Sequence, residues 1–110
     1  MEAISLTELA TGLLNDARNH QSGRAAHTLY GGSAQVLRQT LIALAEGREL
    51  AEHQAPGEAT LQVLIGRVRL SADDQTWHGS GGDLVVIPPV RHGLLASEDA
   101  VVLLTVAKPR

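Results

Sequence analysis

The sequence contains no cysteine and no phenylalanine, and it has one tryptophan and one tyrosine among 110 residues. Without cysteine, disulfide bonds, thiolate catalysis and cysteine-ligated zinc or iron–sulfur sites are excluded. With so few aromatic rings the chain offers little surface for stacking nucleic-acid bases, and its core must be built from Val, Leu, Ile and Ala. A chain of this length is enough for one domain and too short for two.

The chain also lacks an excess of positive charge. Nine Lys and Arg residues stand against twelve Asp and Glu residues, so the formal net charge is −3 with His neutral. Because nucleic-acid-binding proteins neutralise phosphates with basic patches, we expect no nucleic-acid partner. The apolar run 101–107 is too short to span a bilayer, and the first residues lack the basic segment of a signal peptide. These features predict a cytoplasmic protein with no membrane partner.

Residues 5–16 are predicted to form one amphipathic helix. Apolar residues recur there at helical spacing, at positions 6, 9, 10, 13 and 14. Ser5 and Glu8 have the spacing of a capping box, in which two side chains satisfy free backbone N–H groups at the helix start. We expect the helix to pack on a sheet; docking to a partner is the alternative.

From residue 24 onward, short runs of β-type residues alternate with turn residues. The runs lie near 25–30, 35–45, 49–54, 59–65, 67–71, 75–78, 83–88, 92–96 and 100–107. Gly, Pro and Asp clusters separate them, and no gap has room for a crossover helix, so the strands are predicted to be antiparallel. We divide this single domain into an N-terminal helix with its connecting arm, 1–23, and a β-barrel, 24–110.

The segment GRELAEHQAPGEATLQVLIG resembles the first sequence motif of the cupin superfamily. In that motif a Gly is followed after five residues by His-x-His, then after three or four residues by Glu, and after six more by a second Gly. Gly47, His53 and Gly66 fit this pattern. Ala55 and Ala59 occupy the positions of the second His and the Glu.

The segment GDLVVIPPVRH resembles the second cupin motif, which reads Gly, five residues, Pro-x-Gly, two residues, His. Gly82 and Pro88 fit, whereas the second Gly is missing and His92 comes one residue early. Together the two motifs extend the resemblance over residues 35–107. It implies an all-β fold, a small antiparallel, jelly-roll-like cupin barrel, here with one N-terminal α-helix.

The resemblance also implies a metal site that has lost two of its four ligands. Metal-binding cupins use two His and a Glu from the first motif and a His from the second, a set that suits Fe, Mn, Ni or Zn. Only His53 and His92 carry over, and two imidazoles alone are too few for a stable site. We expect no resident cofactor; the alternative is a divalent Fe, Mn, Ni or Zn ion held at partial occupancy by these two residues.

His53 and His92 are nevertheless the first candidates for a ligand-binding pocket, because they come from separate motifs and should converge. They could instead simply line the barrel and bond each other, a backbone carbonyl or water. His27 and Arg38 are further pocket candidates. Arg38 could bind a carboxylate there, with a solvated or ion-paired side chain as the alternative. Gln54 and Glu58 are weaker substitute ligands, since alternation directs the former outward and the latter falls in a turn.

Three classes of function stay open. We favour a small-molecule-binding or sensing barrel with a degenerate metal site and without the metal-dependent catalysis typical of cupins. One alternative is a metal-dependent cupin enzyme, of dioxygenase or isomerase type, that uses His53 and His92 with non-standard further ligands; another is a purely structural module. The runs 85–87 and 101–104 are apolar on both faces, so they need cover on both sides, which predicts a homodimer.

Overall fold

The computed structural model describes residues 1–54 and 57–109. One helix, α1 (Leu6–Asn19), precedes nine strands. The strands are β1 (Arg24–Tyr30), β2 (Leu37–Leu44), β3 (Glu49–His53), β4 (Glu58–Ile65), β5 (Arg67–Ala72), β6 (Gln75–Ser80), β7 (Leu84–Ile87), β8 (His92–Ala96) and β9 (Ala100–Ala107). The nine predicted runs correspond to these nine strands.

The strands form two sheets that enclose one interior. The five-stranded sheet has the order β1-β2-β9-β4-β7, and the four-stranded sheet has the order β3-β8-β5-β6. All the pairings in both sheets are antiparallel. Buried residues from both sheets belong to one apolar cluster, so the sheets pack face to face. The predicted antiparallel barrel with one N-terminal helix is confirmed.

Strict alternation along the strands fills the interior with aliphatic side chains. Leu61 and Val63 of β4 and Val68 and Leu70 of β5 are each at most 4% exposed, while Arg69 between the last two is exposed. Successive side chains of a strand point to opposite faces, which is why the period-2 pattern predicts this arrangement.

α1 covers part of the outer face of the five-stranded sheet. Its N-cap Ser5 accepts a hydrogen bond from the backbone N–H of Glu8 at 3.3 Å, which is one of the two bonds of the predicted capping box. One buried cluster joins the helix to the sheet: Ala10, Leu13, Leu14, Ala17, Leu41, Ala43 and Val101. The helix ends three residues later than predicted because Ala17 continues its buried face. Among the described residues, no helix has the length and apolarity needed to cross a membrane.

The glycines that frame the two motifs lie at turns with left-handed backbone. Gly47, Gly66 and Gly82 have φ values of +81°, +80° and +96°, a region that favours glycine. At Gly66 a Cβ would also collide with the carbonyl oxygen of Asp99, whereas at Gly47 it would meet nothing within 4 Å. The turn at Gly66 is therefore packed, and the turn at Gly47 is open.

A histidine pair at the mouth of the barrel

β3 and β8 place His53 and His92 side by side at one end of the barrel. The two residues are directly opposite in the antiparallel register, so their side chains share a face of the sheet. Their ring centroids lie 4.7 Å apart, with the ring planes tilted by 55°. His92 is 4% exposed, whereas His53 is exposed. The structure thus brings together one ring inside the barrel and one at its rim.

A β-bulge in β3 turns His53 toward the interior. Leu50 pairs with Leu94, and the register then shifts before His53 pairs with His92. Between these pairs β3 advances by three residues and β8 by two, so regular alternation alone would put His53 on the face opposite to Leu50. The extra residue restores it to the inward face, a common use of bulges beside functional sites.

The backbone fixes which nitrogen of each imidazole carries the proton. Nδ1 of His53 lies 3.1 Å from the carbonyl oxygen of Ala51, and Nδ1 of His92 lies 3.0 Å from that of Val90. Because a carbonyl oxygen only accepts, each Nδ1 must be the donor. A neutral imidazole with a protonated Nδ1 carries its lone pair on Nε2. When the imidazoles are neutral, both rings therefore present Nε2 as an acceptor or as a ligand atom.

The residues around the pair do not complete a metal site. Ala59, at the position of the Glu in the cupin motif, is 4% exposed and contributes only a methyl group. Ala55 lies outside the described residues, and an alanine side chain has no ligand atom. Within residues 1–54 and 57–109, no three His, Asp or Glu side chains form a group that could hold a metal ion. Since protein metal sites usually have three or four protein ligands, these residues do not fit a resident transition metal.

An apolar cleft of about 460 Å³ lies between the β5–β6 hairpin and β7. Its lining consists of Leu70, Ala72, Gln75, Thr76, Trp77, Val85, Val86 and Pro88. One of the lining residues, Ala72, is directly opposite His92 in the register of β5 and β8, so the cleft begins one strand away from the pair. The volume falls within the range of about 300–1,000 Å³ that is usual for small-molecule pockets.

Trp77 forms one wall of this cleft, and sequence reasoning missed it. It pairs with Leu70 across β5 and β6 and is half-buried. Its ring lies over Gly79, where an added Cβ would collide with the indole. The Trp-x-Gly spacing within a strand was a usable signal, because i and i+2 share a face and only glycine leaves room for a ring that lies along the strand.

Arg38 and His27 lie on opposite faces of the five-stranded sheet. Arg38 pairs with Val106, which pairs with Ala59, so these three residues share one inward-facing row. Arg38 is exposed and lies two strands, or about 10 Å, from Ala59. His27 pairs with Leu41, which is buried under α1, so His27 is on the outer face. The structure therefore keeps Arg38 near the inward face and does not bring His27 to the pair.

The two substitute ligands considered from the sequence do not join the pair. Gln54 is exposed and its side-chain amide lies 3.5 Å from the carbonyl oxygen of Pro89. Glu58 is the first residue of β4 rather than a turn residue, and it pairs with Ala107. Its side chain is exposed, because the alternation of β4 directs it to the outer face of the sheet.

Comparison with known proteins identifies the fold. Neither a scan against protein-family models nor a search of curated proteins gives a match. A conserved protein of unknown function from Streptococcus pyogenes is 32% identical, with 83% of this chain and 79% of that chain covered and a TM-score of 0.74. A cupin superfamily protein from Desulfitobacterium hafniense is 17% identical, with 78% of each chain covered and a TM-score of 0.73.

A larger enzyme shares the same barrel. The salicylate 1,2-dioxygenase of Pseudoaminobacter salicylatoxidans, in complex with gentisate, is 21% identical with a TM-score of 0.78. The match covers 91% of this chain but 32% of the dioxygenase. At such low identity the likeness shows a common fold and carries no activity across.

Proposed function

Because the chain has the fold of the cupin superfamily proteins to which it is similar, we propose that it binds a small organic molecule at the mouth of its barrel, without a resident metal. The observation that carries this proposal is the position of Ala72, which lines the cleft and lies directly opposite His92. A mainly apolar cleft with a few polar groups at one end is typical of small-molecule sites.

The histidine pair favours a ligand with hydrogen-bond donors. With each Nδ1 donating to a backbone carbonyl, the Nε2 atoms of His53 and His92 accept when the rings are neutral. A hydroxyl group matches these acceptors, and the apolar part of the same ligand would pack against Trp77 and Leu70. A carboxylate would instead need a donor, for which Arg38 is the nearest guanidinium on the inward-facing row. We therefore propose a small hydroxylated molecule with an apolar ring or chain.

One observation supports a second candidate, a metal-dependent cupin enzyme of dioxygenase or isomerase type. The same Nε2 lone pairs of His53 and His92 could ligate Fe, Mn, Ni or Zn. The remaining ligands would then have to come from the bound molecule or from solvent, because Ala55 and Ala59 supply none. We also propose a cytoplasmic location, which the absence of cysteine supports.

The fluorescence of Trp77 offers a direct test, because it is the only tryptophan of the chain and lines the cleft. The purified protein is titrated with a panel of small phenols, alcohols and aromatic or aliphatic acids. A compound that binds in the cleft should change the Trp77 emission, and it should raise the midpoint of thermal unfolding because it stabilises only the native state. A panel without any binder would contradict the proposal.

Two histidine variants locate the binding. We expect His92→Ala to weaken binding of such a compound at least about tenfold, which is about 1.4 kcal/mol. The matched control is His78→Ala. The side chain of His78 is exposed and points away from the barrel interior, so this substitution should leave the affinity unchanged. Equal effects of both variants would place the ligand elsewhere. Binding that appears only after addition of Fe, Mn, Ni or Zn would support the enzyme instead.

A further inference from the structure

A groove of about 510 Å³ lies between the start of β1 and the start of β3, away from the mouth of the barrel. β1 and β3 are edge strands of different sheets, so the groove follows the seam between the two sheets. Its lining consists of Ser22, Arg24, Gly47, Arg48, Glu49 and Ala51. Arg48 precedes His53 by five residues, which is about 16 Å of extended chain. The groove is therefore separate from the histidine pair.

The register of β1 directs Arg24 toward this seam. Arg24 pairs with Leu44, and Leu44 belongs to the buried cluster between the two sheets, so the side chain of Arg24 leaves its strand on the inward face. Because β1 is an edge strand, Arg24 is not enclosed there and its side chain is exposed. The backbone N–H of Arg24 donates to Oγ of Ser22 at 3.2 Å, which holds the start of the strand in place.

The side chain of Arg48 crosses the seam and lies over Gly23, the residue before Arg24. A Cβ added at Gly23 would be 2.5 to 2.9 Å from Cγ, Nε and Cδ of Arg48, so only glycine leaves room for this contact. The backbone of Arg48 is held on both sides: its N–H donates to the carbonyl oxygen of Ala45 at 3.0 Å, and its carbonyl oxygen accepts from Ala96 at 2.9 Å. A side chain supported in this way loses less conformational entropy when it binds a ligand.

The two guanidiniums of the groove are not neutralised by the protein. In the part of the chain that the structure describes, no Asp or Glu oxygen comes within 4.0 Å of either one. Glu49 also lines the groove, but it alternates with Leu50, which packs against the interior cluster, so Glu49 points to the outer face of the four-stranded sheet. Two positive charges and one negative charge leave the groove positive. Because the two like charges repel each other, an anion between them lowers the electrostatic free energy.

We propose that this groove binds a phosphate group between Arg24 and Arg48. A guanidinium donates two parallel hydrogen bonds to two oxygens of one anion. The oxygens of a phosphate are tetrahedral, so each of two guanidiniums can bind a different edge of the group, whereas a carboxylate has a single pair of oxygens and is matched by one guanidinium. Free phosphate and the phosphate monoesters of small organic molecules share this group. The site does not depend on the ligand proposed for the barrel mouth.

The backbone amide NMR signals of the groove test the site. The isotope-labelled, unaltered protein is titrated with inorganic phosphate near neutral pH, at an ionic strength held constant with sodium chloride. The signals of residues 22–24 and 47–51 should shift and reach saturation below about 50 mM phosphate, and acetate should bind at least about tenfold more weakly. A parallel titration with glycerol phosphate distinguishes the source. Tighter binding than that of inorganic phosphate assigns the site to an organic phosphate, and equal or weaker binding assigns it to free phosphate.

Single variants test whether the guanidiniums hold the anion. Arg24→Gln and Arg48→Gln should each weaken phosphate binding at least about tenfold, because each removes a charge and a pair of donors. Both side chains are exposed, so the dispersion of the amide signals should show folded variants. The matched control is Arg67→Gln, which removes an exposed arginine from β5 of the other sheet and should leave the affinity unchanged.

Three results would each overturn the proposal. The first is the absence of saturable shifts at the groove amides. The second is acetate that binds as tightly as phosphate, because two guanidiniums would then give no preference for a tetrahedral anion. The third is a phosphate affinity of the Arg24→Gln and Arg48→Gln variants equal to that of the Arg67→Gln control.

Discussion

The closed interior of the barrel and its mouth are built from the same strands and differ in how their inward positions are filled. In the interior, Leu61, Val63 and Val68 leave no room, since interiors pack about as densely as organic crystals. At the mouth the inward positions carry alanines at 59 and 72 and two imidazoles. The difference teaches that packing accounts for the fold, while the small residues at the mouth leave the space in which a ligand can bind.

The largest effect that distinguishes the two regions is expected from truncation of a core leucine. Leu61→Ala should lower the free energy of unfolding by about 3 kcal/mol, because it removes buried methyl groups and leaves a cavity. His53→Ala at the rim should change it by less than about 0.5 kcal/mol. Urea unfolding of both variants measures the contrast. Similar losses would mean that the mouth is as tightly packed as the interior.

The framing glycines provide a second, smaller contrast, between a packed turn and an open one. Gly66→Ala should destabilise by about 2 kcal/mol or more, since it combines a left-handed backbone with a collision at the Asp99 carbonyl. Gly47→Ala has the backbone cost alone and should lose about 1 kcal/mol. Thermal unfolding gives the order; a larger loss for the second variant would contradict it.

The smallest effect concerns the tether between α1 and the barrel. Arg18 donates to Asp99 at 2.6 Å and the backbone N–H of Glu46 donates at 2.8 Å. Two hydrogen bonds hold the pKa of Asp99 below its ordinary value of 3.8. The bond from Arg18 has the larger effect, and the bond from the backbone N–H of Glu46 adds to it. The ionised carboxylate therefore stabilises the fold above pH 3.8, and this contribution is lost as the pH falls through the lowered pKa.

Replacement of the carboxylate measures this tether. The ion pair is partly exposed, with 32% of the Asp99 side chain accessible, so Asp99→Asn should cost less than about 1 kcal/mol at pH 7. Its difference from the unaltered protein should shrink as the pH falls below 3.8. A difference that stays constant down to acid pH would show that charge is not involved.

The fold could be predicted almost completely from the sequence, because alternation and turn residues are local signals. The nine strands follow from them, and the helix differed by its last turn. The pairing of His53 with His92 followed from motif spacing, but the bulge that aims His53 inward depends on the register with β8. The face on which His27 lies is likewise decided by its pairing with β2. Such cross-strand registers cannot be read from a single strand.

The most direct test of a ligand site without a resident metal is elemental analysis of the freshly purified protein. The unaltered chain, prepared without chelator or added metal, should carry clearly less than one Fe, Mn, Ni or Zn ion per chain after dialysis, because Ala55 and Ala59 replace two ligands. Stoichiometric metal that survives dialysis and is lost in His92→Ala would contradict the proposal and establish a metal centre at the histidine pair.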